Sequence, residues 1–127
     1  MNVIPLHPIL VISADWQIRA LLAAQISETT GEDALSAPGV NEALGLVESV
    51  GVRPVLLVVD AGAEIPRADV ERLLTALPGT PLVLVVSALR RPEFDPLRKR
   101  CVAWLVRPVS VIQIAQAAAQ ALADLRA

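Results

Sequence analysis

Cysteine and histidine are almost absent from this sequence, which contains one of each among its 127 residues. With Cys101 alone, an intramolecular disulfide is excluded, and a cysteine-based zinc cluster within the chain is not expected. A single cysteine also fits a reducing compartment. His7 lies between two prolines near the start of the chain, and we expect it to be solvent-exposed rather than a catalytic base.

Strong net charge and long apolar runs are lacking as well. The formal net charge of -2 gives no field that draws a protein to nucleic acid or anionic lipid, so we expect no direct binding to nucleic acid or membrane. No apolar run approaches the roughly 18 to 20 residues of a membrane-spanning helix. The opening "MNVIPLHP" lacks the basic and apolar parts of a secretory signal. We therefore expect one cytoplasmic domain over residues 1–127.

Short apolar runs indicate buried β-strands. Their hydrophobicity is continuous rather than alternating, which is typical of parallel strands covered by helices on both faces. Four runs are clear and a fifth, "DALSA", is weaker: "PILVIS" (Pro8–Ser13), "DALSA" (Asp33–Ala37), "PVLLVVD" (Pro54–Asp60), "PLVLVVS" (Pro81–Ser87) and "CVAWLV" (Cys101–Val106).

Helical spacing fills the intervals between these runs. Asn41 and Ser110 are expected to cap the second and last helices, and Gly51 to end the second. The stretch from Arg90 to Arg100 contains two prolines, so any helix there is expected to be short or irregular. The four predicted helices are Trp16–Thr29, Asn41–Val50, Asp69–Leu77 and Ser110–Arg126. The alternation of strand and helix predicts a doubly wound parallel α/β sheet.

Polar residues follow four of the predicted strands. In such a sheet the carboxyl ends of the first, third, fourth and fifth strands converge on one crevice, where ligands bind. The residues brought there are Ser13, Ala14, Asp15, Asp60, Ser87, Arg107 and Pro108.

This ordered set resembles the response-regulator receiver domain. The segments "ILVISADWQIRALL", "NEAL", "PVLLVVD", "IPRAD", "PLVLVVSA" and "WLVRPVS" follow the family's order and approximate spacing over nearly the whole chain. The resemblance implies a CheY-like, flavodoxin-like (βα)5 fold with five parallel strands in the order 2-1-3-4-5.

The resemblance also implies roles for individual residues. Asp60 matches the aspartate that accepts a phosphoryl group, and Ser87, followed by Ala88, matches the hydroxyl residue that senses it. Trp104 matches the aromatic switch position. Arg107 stands at the position of the family's lysine.

Other positions depart from the family. Ser13 and Ala14 replace the acidic pair that holds magnesium, and Asp15 matches a third acid that does not normally bind metal. The loop after Asp60 is about two residues longer than usual, which places the neighbouring backbone ligand in question. The charges of Asp60 and Arg107 alone sum to zero, so a divalent cation gains little by binding between them, and we expect weak or absent Mg²⁺ binding. We expect no other cofactor.

The arginine suggests a second consequence. Its planar fork suits a bidentate bond to a carboxylate, so we hypothesise that Arg107 holds Asp60 permanently and locks the domain in one state. Without metal, phosphorylation of the aspartate is expected to be slow.

Each of these residues also has a purely structural interpretation. Asp15 can cap the first helix. Asp60 and Ser87 can close turns. Trp104 can be core packing, and Arg107 can be a surface residue.

Two surfaces are candidates for interaction. Five of the eleven basic residues lie between the fourth and fifth strands: Arg90, Arg91, Arg98, Lys99 and Arg100. They form either a solvated face or part of an output surface. On the last helix, a core stripe of Val111, Ala115, Ala118, Leu122 and Leu125 is widened by Ile112, Ile114 and Ala121, which predicts a homodimer through this helix.

The sequence therefore predicts an atypical receiver domain, not an enzyme, that acts as a phosphorylation-independent protein interaction module in bacterial signalling. Its partner is expected to be a histidine kinase or an output protein. One alternative is a two-component phosphorelay receiver modified on Asp60 by a histidine kinase. Another is a small flavodoxin-like enzyme or ligand-binding domain, although no Gly-rich phosphate loop or nucleophile with an adjacent base is present.

Overall fold

The computed structural model describes residues 7–127, in which five β-strands alternate with five α-helices. The strands are β1 (Ile9–Ser13), β2 (Ala34–Ala37), β3 (Leu56–Asp60), β4 (Leu82–Val86) and β5 (Cys101–Val106). The helices are α1 (Trp16–Thr30), α2 (Val40–Val50), α3 (Arg67–Ala76), α4 (Arg91–Phe94) and α5 (Val111–Arg126). No helix within this range is both long enough and apolar enough to cross a membrane.

The strands form one parallel sheet in the order β2-β1-β3-β4-β5, which confirms the predicted fold. One apolar cluster lies on the face covered by α2, α3 and α4, and a second lies on the face covered by α1 and α5. Because β1 and β3 are neighbours in register, Ser13 stands beside Asp60 at the carboxyl edge of the sheet.

Proline residues set the starts of three strands. The predicted runs began at Pro8, Pro54 and Pro81, but each strand begins one or two residues later because proline has no N–H to donate to a neighbouring strand. Their carbonyl groups still take part, since the Pro8 oxygen accepts from Val55 N and the Pro81 oxygen accepts from Leu57 N, both at 2.9 Å.

The ends of most helices follow local capping chemistry. Ser110 caps α5 in a reciprocal arrangement with Gln113, and Gly51 ends α2 with a φ of 72°, as predicted. The prediction that Asn41 caps α2 is wrong. The helix begins one residue earlier, at Val40, after Gly39, which makes no side-chain cap.

Glu42 lies in the first turn of α2, close to Gly39. A Cβ added at Gly39 would lie 2.6 Å from a Glu42 carboxylate oxygen, which is the end of a flexible side chain and can move aside. Its negative charge in the first turn is favourable at the positive end of the helix.

Helix α3 also begins earlier than predicted, at Arg67 rather than Asp69. Pro66, in an extended conformation, precedes it, and Asp69 lies in its first turn, where a negative charge is favourable.

The apolar residues of α1 and α5 are not all buried. In α1, Leu21 is 63% exposed although its neighbour Leu22 is buried. In α5, Leu125 is 51% exposed near the helix end, whereas Ile114 and Ala121 are buried in the core. The predicted core stripe of α5 is therefore wrong at Leu125, and two of the residues expected to widen it, Ile114 and Ala121, are buried within the chain.

The segment from Ala88 to Arg100 is irregular, as its prolines predicted. Four-residue helix α4 lies between two 3-10 segments, Ala88–Arg90 and Asp95–Arg100. Phe94 and Leu97 anchor it in the core. The register between β4 and β5 shifts beside Leu82, and Val102, near this irregularity on the edge strand, is 47% exposed.

Candidate functional site

A crevice at the carboxyl edge of the sheet contains Ser13 and Asp60, the two polar residues buried within the described part of the chain. Asp60 is only 4% exposed. Burying a carboxylate is costly unless it is paired, so its partners decide what the crevice can do.

One oxygen of Asp60 has two partners. Oδ2 accepts a hydrogen bond from Nη2 of Arg107 at 2.8 Å and a longer one from Oγ of Ser13 at 3.3 Å. Arg107 follows β5, and its backbone N–H donates to Val86 O at the end of β4. Its side chain therefore crosses the end of β4 to reach β3, which a long arginine can do because adjacent strands are about 4.8 Å apart. The next peptide bond, Arg107–Pro108, is cis.

The other oxygen, Oδ1 of Asp60, is buried and has no hydrogen-bond partner among residues 7–127. The contact with Arg107 is thus single rather than bidentate, because the second terminal nitrogen, Nη1, lies 3.4 Å from Val109 O. The expectation that Arg107 pairs with Asp60 agrees with this geometry, but the expected two-pronged form does not.

Two further arginines hold backbone oxygens around the crevice. Nη1 of Arg19 donates to Ser13 O at 2.8 Å. Nη1 of Arg90 donates to Gly62 O at 2.9 Å, and its Nη2 donates to Ile65 O at 2.8 Å. Arg90 therefore ties the loop after Asp60 to the segment before α4.

Arg90 is itself fixed by its neighbours. It pairs with Glu93 through two hydrogen bonds of 2.9 and 3.0 Å, and its guanidinium lies 4.8 Å from the centre of the Phe94 ring. The hydrogen bond from Arg90 holds the pKa of Glu93 below its usual value. Arg90 was expected to belong to an open cationic surface, but its guanidinium donates to Gly62 O, Ile65 O and the Glu93 carboxylate within the chain.

A cavity of about 210 Å³ opens beside Asp60. Four of its lining side chains are ionisable: Asp15, Asp60, Glu64 and Arg107. Their formal charges are three negative and one positive, which sum to -2. The zero charge of Asp60 and Arg107 alone left out two carboxylates: Asp15, which the sequence placed at the crevice, and Glu64, which belongs to the loop whose path the sequence did not define.

The oxygen atoms around this cavity fit magnesium poorly. Mg²⁺ requires oxygen ligands in a nearly octahedral arrangement. Three of the oxygens here already accept hydrogen bonds from arginines: the Ser13 carbonyl from Arg19, the Gly62 carbonyl from Arg90, and Asp60 Oδ2 from Arg107. Among residues 7–127, no three His, Cys, Asp or Glu side chains are grouped closely enough to hold a metal ion. Weak or absent magnesium binding stays a prediction.

Asp15 lies at the mouth of the crevice and caps α1. Its Oδ1 accepts from the backbone N–H groups of Gln17 and Ile18 at 2.9 and 3.1 Å. Ala14 lies beside it on the cavity wall. The geometry thus fits the capping interpretation of Asp15, while one of its oxygens still faces no partner among the described residues.

The two expected switch residues lie on the α4 side. Ser87 Oγ accepts from Arg90 N at 3.2 Å and so caps the 3-10 segment. Trp104 is half-buried against the core cluster, with the Arg98 guanidinium 5.4 Å from its ring centre. Both have structural partners, and neither contacts Asp60.

The other expected surface cations are solvent-exposed: Arg91, Arg98, Lys99 and Arg100. His7 is exposed too, at the opposite edge of the sheet, where it lines a shallow hollow of about 490 Å³ with Arg53 and Thr80.

Solved receiver domains have the same fold over nearly the full length of this chain. The response regulator receiver domain from Clostridium thermocellum has a TM-score of 0.75 at 15% identity, covering 95% of this chain and 98% of that one. The receiver domain of NtrX from Brucella abortus has a TM-score of 0.72 at 21% identity, covering 91% and 98%. A CheY-like receiver domain protein from Methanospirillum hungatei has a TM-score of 0.72 at 21% identity, covering 95% and 97%.

This chain therefore has the receiver fold. No protein-family model and no curated protein matches it in sequence.

Proposed function

We propose that this receiver-fold chain is a phosphorylation-independent protein interaction module in bacterial signal transduction, and not an enzyme. The observation that carries the proposal is the Arg107–Asp60 ion pair at 2.8 Å, with the nearby backbone oxygens engaged by Arg19 and Arg90. These contacts support the proposal because they pair the Asp60 carboxylate and engage backbone oxygens that a divalent cation would need as ligands.

Phosphoryl transfer to Asp60 is expected to be slow for a physical reason. The transferring phosphoryl group needs a cation and fixed donors to neutralise its oxygens. Arg107 can supply positive charge, but it already donates to Asp60 Oδ2 and must leave that oxygen to follow an incoming group. A guanidinium is also bulkier and less mobile in this role than a lysine ammonium.

The test is incubation of the chain with magnesium and either acetyl phosphate or beryllofluoride. We expect no stoichiometric modification of Asp60 by intact mass spectrometry, and no beryllofluoride-dependent change in the amide NMR spectrum. The Arg107→Lys variant provides a matched comparison, because it restores a compact ammonium at the same position. Stoichiometric modification of Asp60 in the wild-type chain would contradict the proposal.

A second candidate function is a receiver phosphorylated on Asp60 by a histidine kinase. One observation favours it: Asp60 Oδ1 is unpartnered and Asp60 lines an acidic cavity. The same incubation separates the two candidates, since only this second one expects modification.

The partner surface is proposed to be the cationic segment next to α4. Arg91, Lys99 and Arg100 are exposed, and none of the three makes a side-chain hydrogen bond or ion pair with the rest of the described chain. We expect these cations, together with Arg98, to attract an acidic surface on a kinase or output protein.

A pull-down tests this surface with charge-reversed variants at these four positions. We expect loss of bound partner that is not reproduced by reversing Arg53, an exposed cation at the opposite edge of the sheet. Equal losses from both surfaces would contradict the assignment.

Homodimerisation through α5 is a further part of the proposal. It rests on Ile112 and Leu125, which are 55% and 51% exposed, because Ile114 and Ala121 are buried within the chain. Light scattering of the chain and of an Ile112→Glu variant tests it. A mass of one chain at high concentration would remove the dimer.

A further inference from the structure

The crevice contains a buried acceptor that no described residue uses. Oδ1 of Asp60 has no hydrogen-bond partner in the part of the chain that the structure describes, whereas Oδ2 accepts from two donors. Buried charged oxygens are rarely left without donors, because folding removes the water that would otherwise satisfy them. An external donor that reached Oδ1 would therefore recover a lost interaction.

The charges around the cavity favour a cationic donor. Asp15, Asp60 and Glu64 line it together with a single cation, Arg107, giving a formal charge of -2. Asp15 and Glu64 are exposed at its mouth, where they can attract a positive group before it enters.

The oxygen geometry favours an ammonium group over a metal ion. A divalent cation needs several converging oxygens, but Arg19 and Arg90 already occupy the carbonyls of Ser13 and Gly62. An ammonium has three N–H donors without a rigid planar geometry, so it can donate one to Asp60 Oδ1 and turn the others toward the mouth of the cavity, where Asp15 and Glu64 are exposed. A guanidinium fits less well, because one available carboxylate oxygen offers no match for its two-pronged donor edge.

We propose that the cavity binds a primary alkylammonium group, which donates to Asp60 Oδ1 while Arg107 keeps Oδ2. This deepens the proposed function by naming the chemistry of the partner, a lysine side chain inserted into the crevice; a free alkylamine shares that chemistry. Oδ1 is almost inaccessible to solvent although Asp60 lines the cavity, so entry of the ammonium group requires a small movement of the other side chains that line the cavity.

The experiment is an amide NMR titration of the full chain with n-butylammonium chloride at constant ionic strength, with sodium chloride and n-butanol as controls. We expect saturable shifts at residues 13–15 and 61–64 that neither control produces. Asp60→Asn should weaken binding by about tenfold or more, because it removes the negative acceptor.

A second variant avoids any effect on the buried pair. Glu64→Gln alters an exposed rim residue and should weaken binding by about two- to fivefold. Glu48→Gln, an exposed carboxylate on α2, is the matched control and should leave the affinity unchanged.

A second arm distinguishes the two sources of the ammonium. A short blocked peptide with one central lysine is compared with the same peptide acetylated on that lysine. Tighter binding of the unmodified peptide than of n-butylammonium indicates a lysine in a protein chain, and equal binding indicates a free amine.

Three results would each overturn the inference. The first is amide shifts no larger than those caused by sodium chloride, and the second is equal affinity in wild type and Asp60→Asn. The third is a magnesium titration that saturates at the same amides. These outcomes are separate from the phosphorylation test, because modification of Asp60 removes the proposed function without changing n-butylammonium affinity in the unmodified chain.

Discussion

Arg107 reaches Asp60 through one terminal nitrogen, at 2.8 Å, and the second carboxylate oxygen has no partner among the residues that the structure describes. The pair joins two strands that are not neighbours, since β4 lies between β3 and β5. Arg107 is 29% exposed while Asp60 is 4% exposed. Water can still hydrate part of the guanidinium, whereas the buried carboxylate relies on the ion pair to offset its lost hydration.

Removing this arginine should therefore destabilise the fold. For Arg107→Ala we expect the free energy of unfolding to fall by about 2 to 3 kcal/mol, because a buried carboxylate loses its charged donor. Arg107→Lys should cost less, since a cation remains. Urea denaturation measures both. Arg72→Ala is the control, because its ion pair with Asp69 is largely exposed and should contribute under about 1 kcal/mol. Equal losses in the two alanine variants would contradict this account.

Arg90 is expected to be structural and its neighbour Arg91 is not. Arg90→Ala leaves the carbonyls of Gly62 and Ile65 without donors and removes the contact with Phe94, so we expect a loss of about 1 to 3 kcal/mol in unfolding free energy. Arg91→Ala, at an exposed position, should change it by less than about 0.5 kcal/mol. Thermal or urea unfolding measures the free energy of unfolding of both variants. Similar losses in Arg90→Ala and Arg91→Ala would contradict a structural role for Arg90.

Substitution of Asp15 separates its two interpretations. Asp15→Asn keeps an oxygen that can accept from Gln17 N and Ile18 N, so stability should stay within about 0.5 kcal/mol of wild type. Asp15→Ala removes the cap and should cost about 1 kcal/mol. A large loss in the asparagine variant would show that the charge, and not the cap, is what matters.

Cys101 should be an unreactive thiol near neutral pH. Burial raises its pKa to about 11, although the nearby Arg100 charge opposes this. Because the thiolate is the nucleophile, we expect alkylation about a hundredfold slower than in the unfolded chain, rising with pH up to about 11. The folded state binds the thiol proton more tightly than the unfolded chain does. The stability that this proton contributes is therefore fully present below the ordinary thiol pKa and is lost as the pH rises through about 11. Iodoacetamide kinetics against pH measure the effect; a rate that levels off near pH 9 would contradict it.

The secondary structure could be predicted because its signals are local. Continuous apolar runs marked β1, β3, β4 and β5, and the cap at Ser110 fixed the start of α5. The errors came where local signals competed. Asn41 is a good capping residue, yet α2 begins before it, at Val40, with Gly39 at the cap position.

The placement of Asp60 and Arg107 in one crevice also followed from the sequence, since both come directly at or after strand ends of a parallel sheet. The strand order determines where the backbone of each residue lies, but it does not determine where the end of a long side chain lies. An arginine can reach several partners from one Cα, and packing around it decides which one it meets.

By itself, the sequence determined the order of strands and helices and the residues delivered to the sheet edge, because apolar periodicity and capping act over a few neighbouring residues. Only the tertiary structure decided that Arg90 holds carbonyls 25 and 28 residues away, that Glu64 faces the same cavity as Asp60, and that one oxygen of Asp60 has no donor. These relationships depend on loop paths and side-chain reach, which are fixed only when distant segments pack together.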